Sequence, residues 1–177
     1  MSKSALKKEL KELTSEQLTE VILQAYDINK AVRAYFDYYA TPEPEKLYSK
    51  YWKVISKEMG RTRYRDCVAR ISRIKKAIAE YESFGPGMEL VLQLKLDTIE
   101  ALLVKARWYN FSKPLTSGTA KLAVDIMKGA EKHHIYSEAF NGLTKIIQNR
   151  DNGFLSFRKY VVYELSEAGF YMEQPEE

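Results

Sequence analysis

The sequence has few of the residues that staple or break a chain. One cysteine, Cys67, stands among 177 residues, so no internal disulfide framework can form. Eight glycines and five prolines are too few for a low-complexity chain or one built mainly of strands and tight turns. No run approaches the roughly 18 apolar residues that a membrane span needs. The opening stretch, Met1 to Leu13, is charged and helix-forming, without the apolar core of an export signal. These absences point to a reduced, cytoplasmic protein with no membrane association. The sequence has no Gly-rich phosphate loop, Gly-x-Ser-x-Gly elbow or dinucleotide fingerprint, so it implies no cofactor and nominates no catalytic residue. Histidine is scarce too. Glu131-Lys132-His133-His134 holds one Glu-x-x-His, whereas a di-iron helical site needs two such pairs and two further glutamates, so no metal site is expected.

Helix is what the chain is made of. All five prolines fall between long periodic stretches or beyond the last one. The stretches are rich in Leu, Lys, Glu, Ala and Ile. A first helix is expected from about Ser4 to Lys11, with a thin Leu6-Leu10-Leu13 stripe. Thr14 and Gln17 then have capping-box spacing, with Leu13 and Leu18 placed as a hydrophobic staple. Apolar residues at helical spacing from Leu18 to Phe36 carry that second helix to Tyr39 or Ala40. Pro42 and Pro44 stop and restart the chain. A third helix with Leu47, Tyr51, Val54 and Ile55 ends at Gly60. A fourth is expected from about Arg63 to Phe84, with Cys67, Ile71, Ile74, Ile78 and Tyr81 on one face. The fifth, Met88 to Tyr109, has a wide apolar arc and reads as the central helix. Shorter helices follow over about Ser117 to His133, Ser137 to Asn149 and Leu155 to Glu167. Gly129 and Gly142 inside them suggest close helix approach or a bend.

The pattern predicts an all-α fold of six to eight helices, an antiparallel multi-helix bundle or a short helical-hairpin stack. One domain over 1–171 and a flexible acidic tail over 172–177 are expected. Leu10-Lys-Glu-Leu-Thr-Ser-Glu-Gln-Leu18, Tyr51 to Glu58 and the basic run Arg61 to Arg73 resemble a family of bacterial helical proteins, a conserved domain of unknown function. The likeness extends to about Asn149. It implies an all-helical fold and supplies no activity.

Charge is unevenly spread. Arg61, Arg63, Arg65, Arg70, Arg73, Lys75 and Lys76 face one acid, Asp66, within sixteen residues, a local net of +6 in a chain whose total is +4. On the expected helix Asp66 and Arg70 can pair. Arg63 and Arg65 would then sit in a first turn whose free N–H groups already favour anions. One resolution is a bound anion held by those groups and the arginines. The other is a helix that starts later, or neutralisation of the cluster by Glu58, Asp66 or Glu80. Tyr64 inside the cluster suits stacking on single-stranded nucleic acid.

Aromatics concentrate around the Pro42–Pro44 connection, where Tyr35, Phe36, Tyr38, Tyr39, Tyr48, Tyr51 and Trp52 can pack across one helical hairpin. A sharper alternative is a peptide groove involving Tyr48 and Trp52. The expected role is therefore non-catalytic: an interaction or scaffold module with a protein partner. Its contact surface is formed by Arg61, Arg63, Tyr64, Arg65, Arg73, Lys75 and Lys76 beside the aromatic hairpin. A nucleic-acid-binding accessory protein using the same face is the alternative.

Overall fold

A computed structural model describes residues 2–176. Where the sequence suggested one domain, contacts group the chain into two compact units, Met1–Glu43 and Pro44–Glu177.

The first unit holds α1 (Lys3–Lys11), α2 (Ser15–Ile28) and α3 (Lys30–Ala40). The capping box at α2 forms as its spacing requires, Gln17 N–H donating to the Thr14 hydroxyl and Thr14 N–H to the Gln17 side chain. The single long helix expected to reach Tyr39 is instead broken at Asn29. Its side-chain oxygen accepts from the N–H groups of Ala31 and Val32 and caps α3. Asn competes for backbone donors in this way, and it outweighed an apolar periodicity that runs straight through it. This break raises the count to nine helices among the described residues, one above the expected range. The Tyr26 hydroxyl donates to Asp37, tying α2 to α3, yet no side chain in these three helices is fully buried.

The second unit carries the core. Its elements are α4 (Pro44–Met59), β1 (Thr62–Arg63), β2 (Asp66–Cys67), α5 (Ile71–Ser83), α6 (Met88–Ala106), β3 (Asn110–Phe111), α7 (Lys113–Lys132), α8 (Tyr136–Gln148) and α9 (Leu155–Glu167). The helix α6 packs against α4, α5, α7 and α8, which explains its wide apolar arc. It shares the centre with α7, whose buried set is longer: ten residues against eight. The inner face of α7 is small, with Gly118, Thr119, Ala120 and Ala123, so its hydrophobic signal was weak although its burial is deep. A Cβ on Gly118 would meet Ile71 at 2.8 Å, and one on Gly142 would meet Leu96 at 2.6 Å, so glycine sets both helix approaches. Nothing lies within 4 Å of a Cβ built on Gly129, so no close approach occurs there.

The expectation of helix from Arg63 onward is corrected. Gly60 ends α4, and the chain then turns through a two-residue-strand hairpin in which β1 pairs antiparallel with β2. The strand β2 in turn pairs parallel with β3, giving the order β1-β2-β3. The helix begins only at Ile71. No Asn-Gly or Asp-Gly marks this hairpin, so its sequence lacked the usual local signal. Residues 172–176, expected to be free, lie against the body. Pro175 is buried, and the carbonyls of Glu173 and Glu176 accept from Gln148 and Arg158 at 3.0 and 3.4 Å.

Candidate anion-binding hairpin and aromatic groove

Glu58 organises the basic cluster. It sits one residue before the end of α4, is only 8% exposed, and points its carboxylate at the start of α5. Oε1 accepts from the Arg61 guanidinium at 2.7 Å and from the Arg70 backbone N–H at 2.9 Å, and Oε2 lies 3.6 Å from Arg73 Nη1. Burial pushes this carboxyl up. The Arg70 N–H, the Arg61 hydrogen bond and the charges of Arg61 and Arg73 outweigh that and hold it below the usual carboxylate range. No acid lies in the first turn of α5 and no side chain caps it, so Glu58 supplies from another helix the negative charge that a helix start favours.

The other bases divide into two groups. Lys75 reaches Asp125 at 2.7 Å and Lys76 lies 3.9 Å from Glu80. Arg61, Arg73, Lys75 and Lys76 are thus each matched by an acid of the chain. Arg63, Arg65 and the exposed Arg70 have no ion-pair partner among the described residues. Arg63 and Arg65 flank Tyr64 at the hairpin tip. Tyr64 is 92% exposed with φ 55°, a left-handed conformation that costs an ordinary L residue roughly 1–2 kcal/mol. The electrostatic conflict anticipated for Arg63 and Arg65 therefore disappears, because they are in a turn and not in a helix's first turn. The expected Asp66–Arg70 pair is also replaced. Asp66 lies on β2 and accepts from the Asn110 side-chain amide at 3.2 Å, while the Arg70 N–H goes to Glu58. Cys67, expected on a helix face, is buried on β2 with Sγ 3.8 Å from the Met59 carbonyl.

Tyr48 and Trp52 are half-buried on α4. The Tyr48 hydroxyl donates to the Asp97 carboxylate, and its ring meets Tyr81 edge-on at 6.3 Å. Burial, then that hydrogen bond, push its hydroxyl well above the ordinary tyrosine range. Tyr51 packs on Tyr81 and Phe84. These rings of the second unit join α4 to α5 and α6. In the first unit Tyr35 meets Phe36 edge-on.

Sequence reasoning missed a second aromatic assembly. The Asn110 N–H donates to the Arg65 carbonyl at 2.6 Å, fastening the hairpin to β3. Beside β3 lie two adjoining hollows of about 330 and 380 Å3, sharing Phe111, Thr116 and Tyr160. Tyr109, Phe154 and Phe157 complete one, and Lys113 and Ser117 the other. Phe111 and Phe157 meet edge-on at 5.8 Å. Phe154 stays 61% exposed. About 45 residues separate Tyr109 from Phe154, and only the packing of α7 on α9 assembles this lining, so no local motif announced it. Arg158 is another buried group without a sequence signal. Its Nη1 donates to the Ile147 carbonyl at 3.0 Å, and burial and nearby Arg150 lower its pKa.

His133 and His134 fall at the C-terminus of α7, and no group of three or more His, Cys, Asp or Glu among the described residues is placed to hold a metal. No helix of the described residues is long and apolar enough to cross a membrane. None of the curated proteins and none of the solved structures matches the chain. A family match covers the first unit, the hairpin, β3 and the start of α7, stopping short of the reach to Asn149 that the resemblance suggested. On residues 1–121, the chain belongs to the Family of unknown function (DUF6155).

Proposed function

We propose that this protein is a non-catalytic interaction module that grips an anionic partner with the hairpin tip Arg63-Tyr64-Arg65. The outer side of α5 and the aromatic part of α4 flank that contact. The reading rests on one observation. Three bases of the cluster, Arg63, Arg65 and Arg70, have no acid partner among the described residues, and two of them stand on either side of a fully presented tyrosine held in a strained turn. Strain of this kind persists where the surrounding structure enforces it, and it is concentrated at recognition sites. Arginine forks suit carboxylate and phosphate groups, so an acidic or phosphorylated protein segment is the first partner class. A specific observation also favours the second reading, a nucleic-acid-binding accessory role: the exposed Tyr64 ring stands between the two arginines, and the Arg65 carbonyl is bonded to Asn110 on the rim of an aromatic hollow.

Heparin-affinity chromatography tests the shared anion claim. The protein should be retained at low salt and elute as salt rises, because polyanion binding releases counterions. Arg63→Ala with Arg65→Ala should elute markedly earlier. Unchanged retention of that double variant, with an unchanged helical dichroism spectrum, would remove the tip as the main contact.

A further inference from the structure

We propose that the hollow beside β3 is a base-stacking cleft for single-stranded nucleic acid, with the strand's phosphates held by Arg63, Arg65 and Lys113. This inference rests on the reading of the hairpin tip as an anion grip, and it adds the ligand class and a second contact.

Three features carry it. The first is the lining. Tyr109, Phe111, Phe154, Phe157 and Tyr160 surround hollows whose size falls within the roughly 300–1,000 Å3 of small-ligand sites. Phe154 in the lining, like Tyr64 at the tip, keeps most of its surface in water. Contiguous exposed apolar surface of this kind marks interaction sites and ligand-binding grooves.

The second feature is charge. Lys113 borders the cleft, and the backbone of Arg65 is bonded directly to Asn110 on its rim. Two acids lie nearby and keep their charge: Asp66, which accepts from the Asn110 amide, and Glu164, which is bonded to the Tyr160 hydroxyl. Lys113 thus borders the aromatic surface itself, and the hairpin that carries Arg63 and Arg65 is joined to its rim through the backbone.

The third feature is the combination. A π-face and a negative charge together describe an unpaired nucleotide. Duplex bases offer only their edges, and their faces are stacked on one another. A phosphopeptide would be served by converging arginines and has no use for the rings. Single strands are bound by cationic tracks with aromatic platforms, which is what β1, β2, β3 and the start of α9 assemble here.

The test uses fluorescence anisotropy of the full chain with a labelled oligothymidylate, an abasic oligonucleotide of equal length, and the duplex form. The oligothymidylate should bind at least about tenfold tighter than the abasic strand, the scale expected for one or two stacked bases. Phe154→Ala should lose about tenfold on oligothymidylate and change little on the abasic strand or heparin, with Phe154→Tyr restoring the loss. Arg63→Ala with Arg65→Ala should weaken all of these ligands. Equal affinity for the base-bearing and abasic strands would overturn the cleft while leaving the tip intact. So would equal affinity for duplex, or a Phe154→Ala variant that binds like wild type. Failure of the double arginine variant to change heparin binding would overturn the tip reading itself. Binding of an acidic or phosphorylated peptide with none to oligothymidylate would refute the cleft and keep the interaction module.

Discussion

Replacing Glu58 should weaken the fold and strengthen anion binding at once. Glu58→Gln keeps the shape of the side chain and an acceptor for the Arg70 N–H. A hydrogen bond to a charged group is worth about 1.5–3 kcal/mol and a neutral one about 0.5–1.5, so the Arg70 bond loses about 1 kcal/mol. Arg61 and Arg73 are each more than a third exposed, at 39% and 56%. Solvent screening therefore limits their combined share to about 1 kcal/mol or less. The expected total is about 1–2 kcal/mol for Glu58→Gln. Glu58→Ala should cost about 1 kcal/mol more, because the Arg70 N–H, on an exposed residue, then loses its protein acceptor. Urea unfolding can be followed by tryptophan emission. Both tryptophans, Trp52 and Trp108, lie in the second unit, so the signal reports the unit that holds Glu58. The midpoint should fall without a change in slope. The pH dependence has a definite sign. The folded-state pKa of Glu58 is lowered, so its contribution is fully present above the ordinary carboxylate pKa. It is lost as pH falls through the lower folded value, and wild type and Glu58→Gln should converge there. Removing the carboxylate also unmasks Arg61 and Arg73, so Glu58→Gln should elute later from heparin. A variant as stable as wild type at neutral pH, or a stability gap unchanged in strong acid, would refute the assignment of Glu58 as keystone of the cluster.

Other substitutions test the packing and the strained turn. Gly118→Ala should destabilise by about 1–2 kcal/mol, since the new Cβ meets the stiff, branched Ile71, whereas Gly129→Ala should stabilise by about 0.5–1 kcal/mol through helix propensity; thermal unfolding of both variants checks the contrast. Tyr64→Gly should hold or raise stability by up to about 1 kcal/mol, as glycine accepts the positive φ, while polyanion binding falls; a loss of stability in denaturant melts would show that the ring is structural. Leu94→Ala, at a fully buried site on α6, should cost about 2–5 kcal/mol in the same melts.

The sequence was most legible where local chemistry and helical period agree. The last helix, Leu155 to Glu167, matches its expected bounds, and the capping box at Thr14 forms both bonds. The list of basic residues was readable too, as was the idea that Glu58 neutralises part of the cluster. What misled was the apolar spacing from Cys67 through Ile71, Ile74 and Ile78, which continues without a break across a strand, a turn and a helix start. The buried position of Cys67 comes from the sheet and only mimics a helix face.

By themselves, the residues settled that the chain is mostly helical, where most helices begin and end, and which segment concentrates positive charge. These follow from interactions within a few residues: caps, periodicity, proline and glycine. Tertiary structure decided the rest. Whether an arginine is matched depends on acids as distant in sequence as Asp125 from Lys75. Whether Arg65 stands in a helix or a turn depends on Asn110 arriving to hold its carbonyl. The aromatic cleft exists only because α9 packs on α7. Contacts between residues far apart along the chain leave no periodic mark in it, so the site became visible only once the helices were packed.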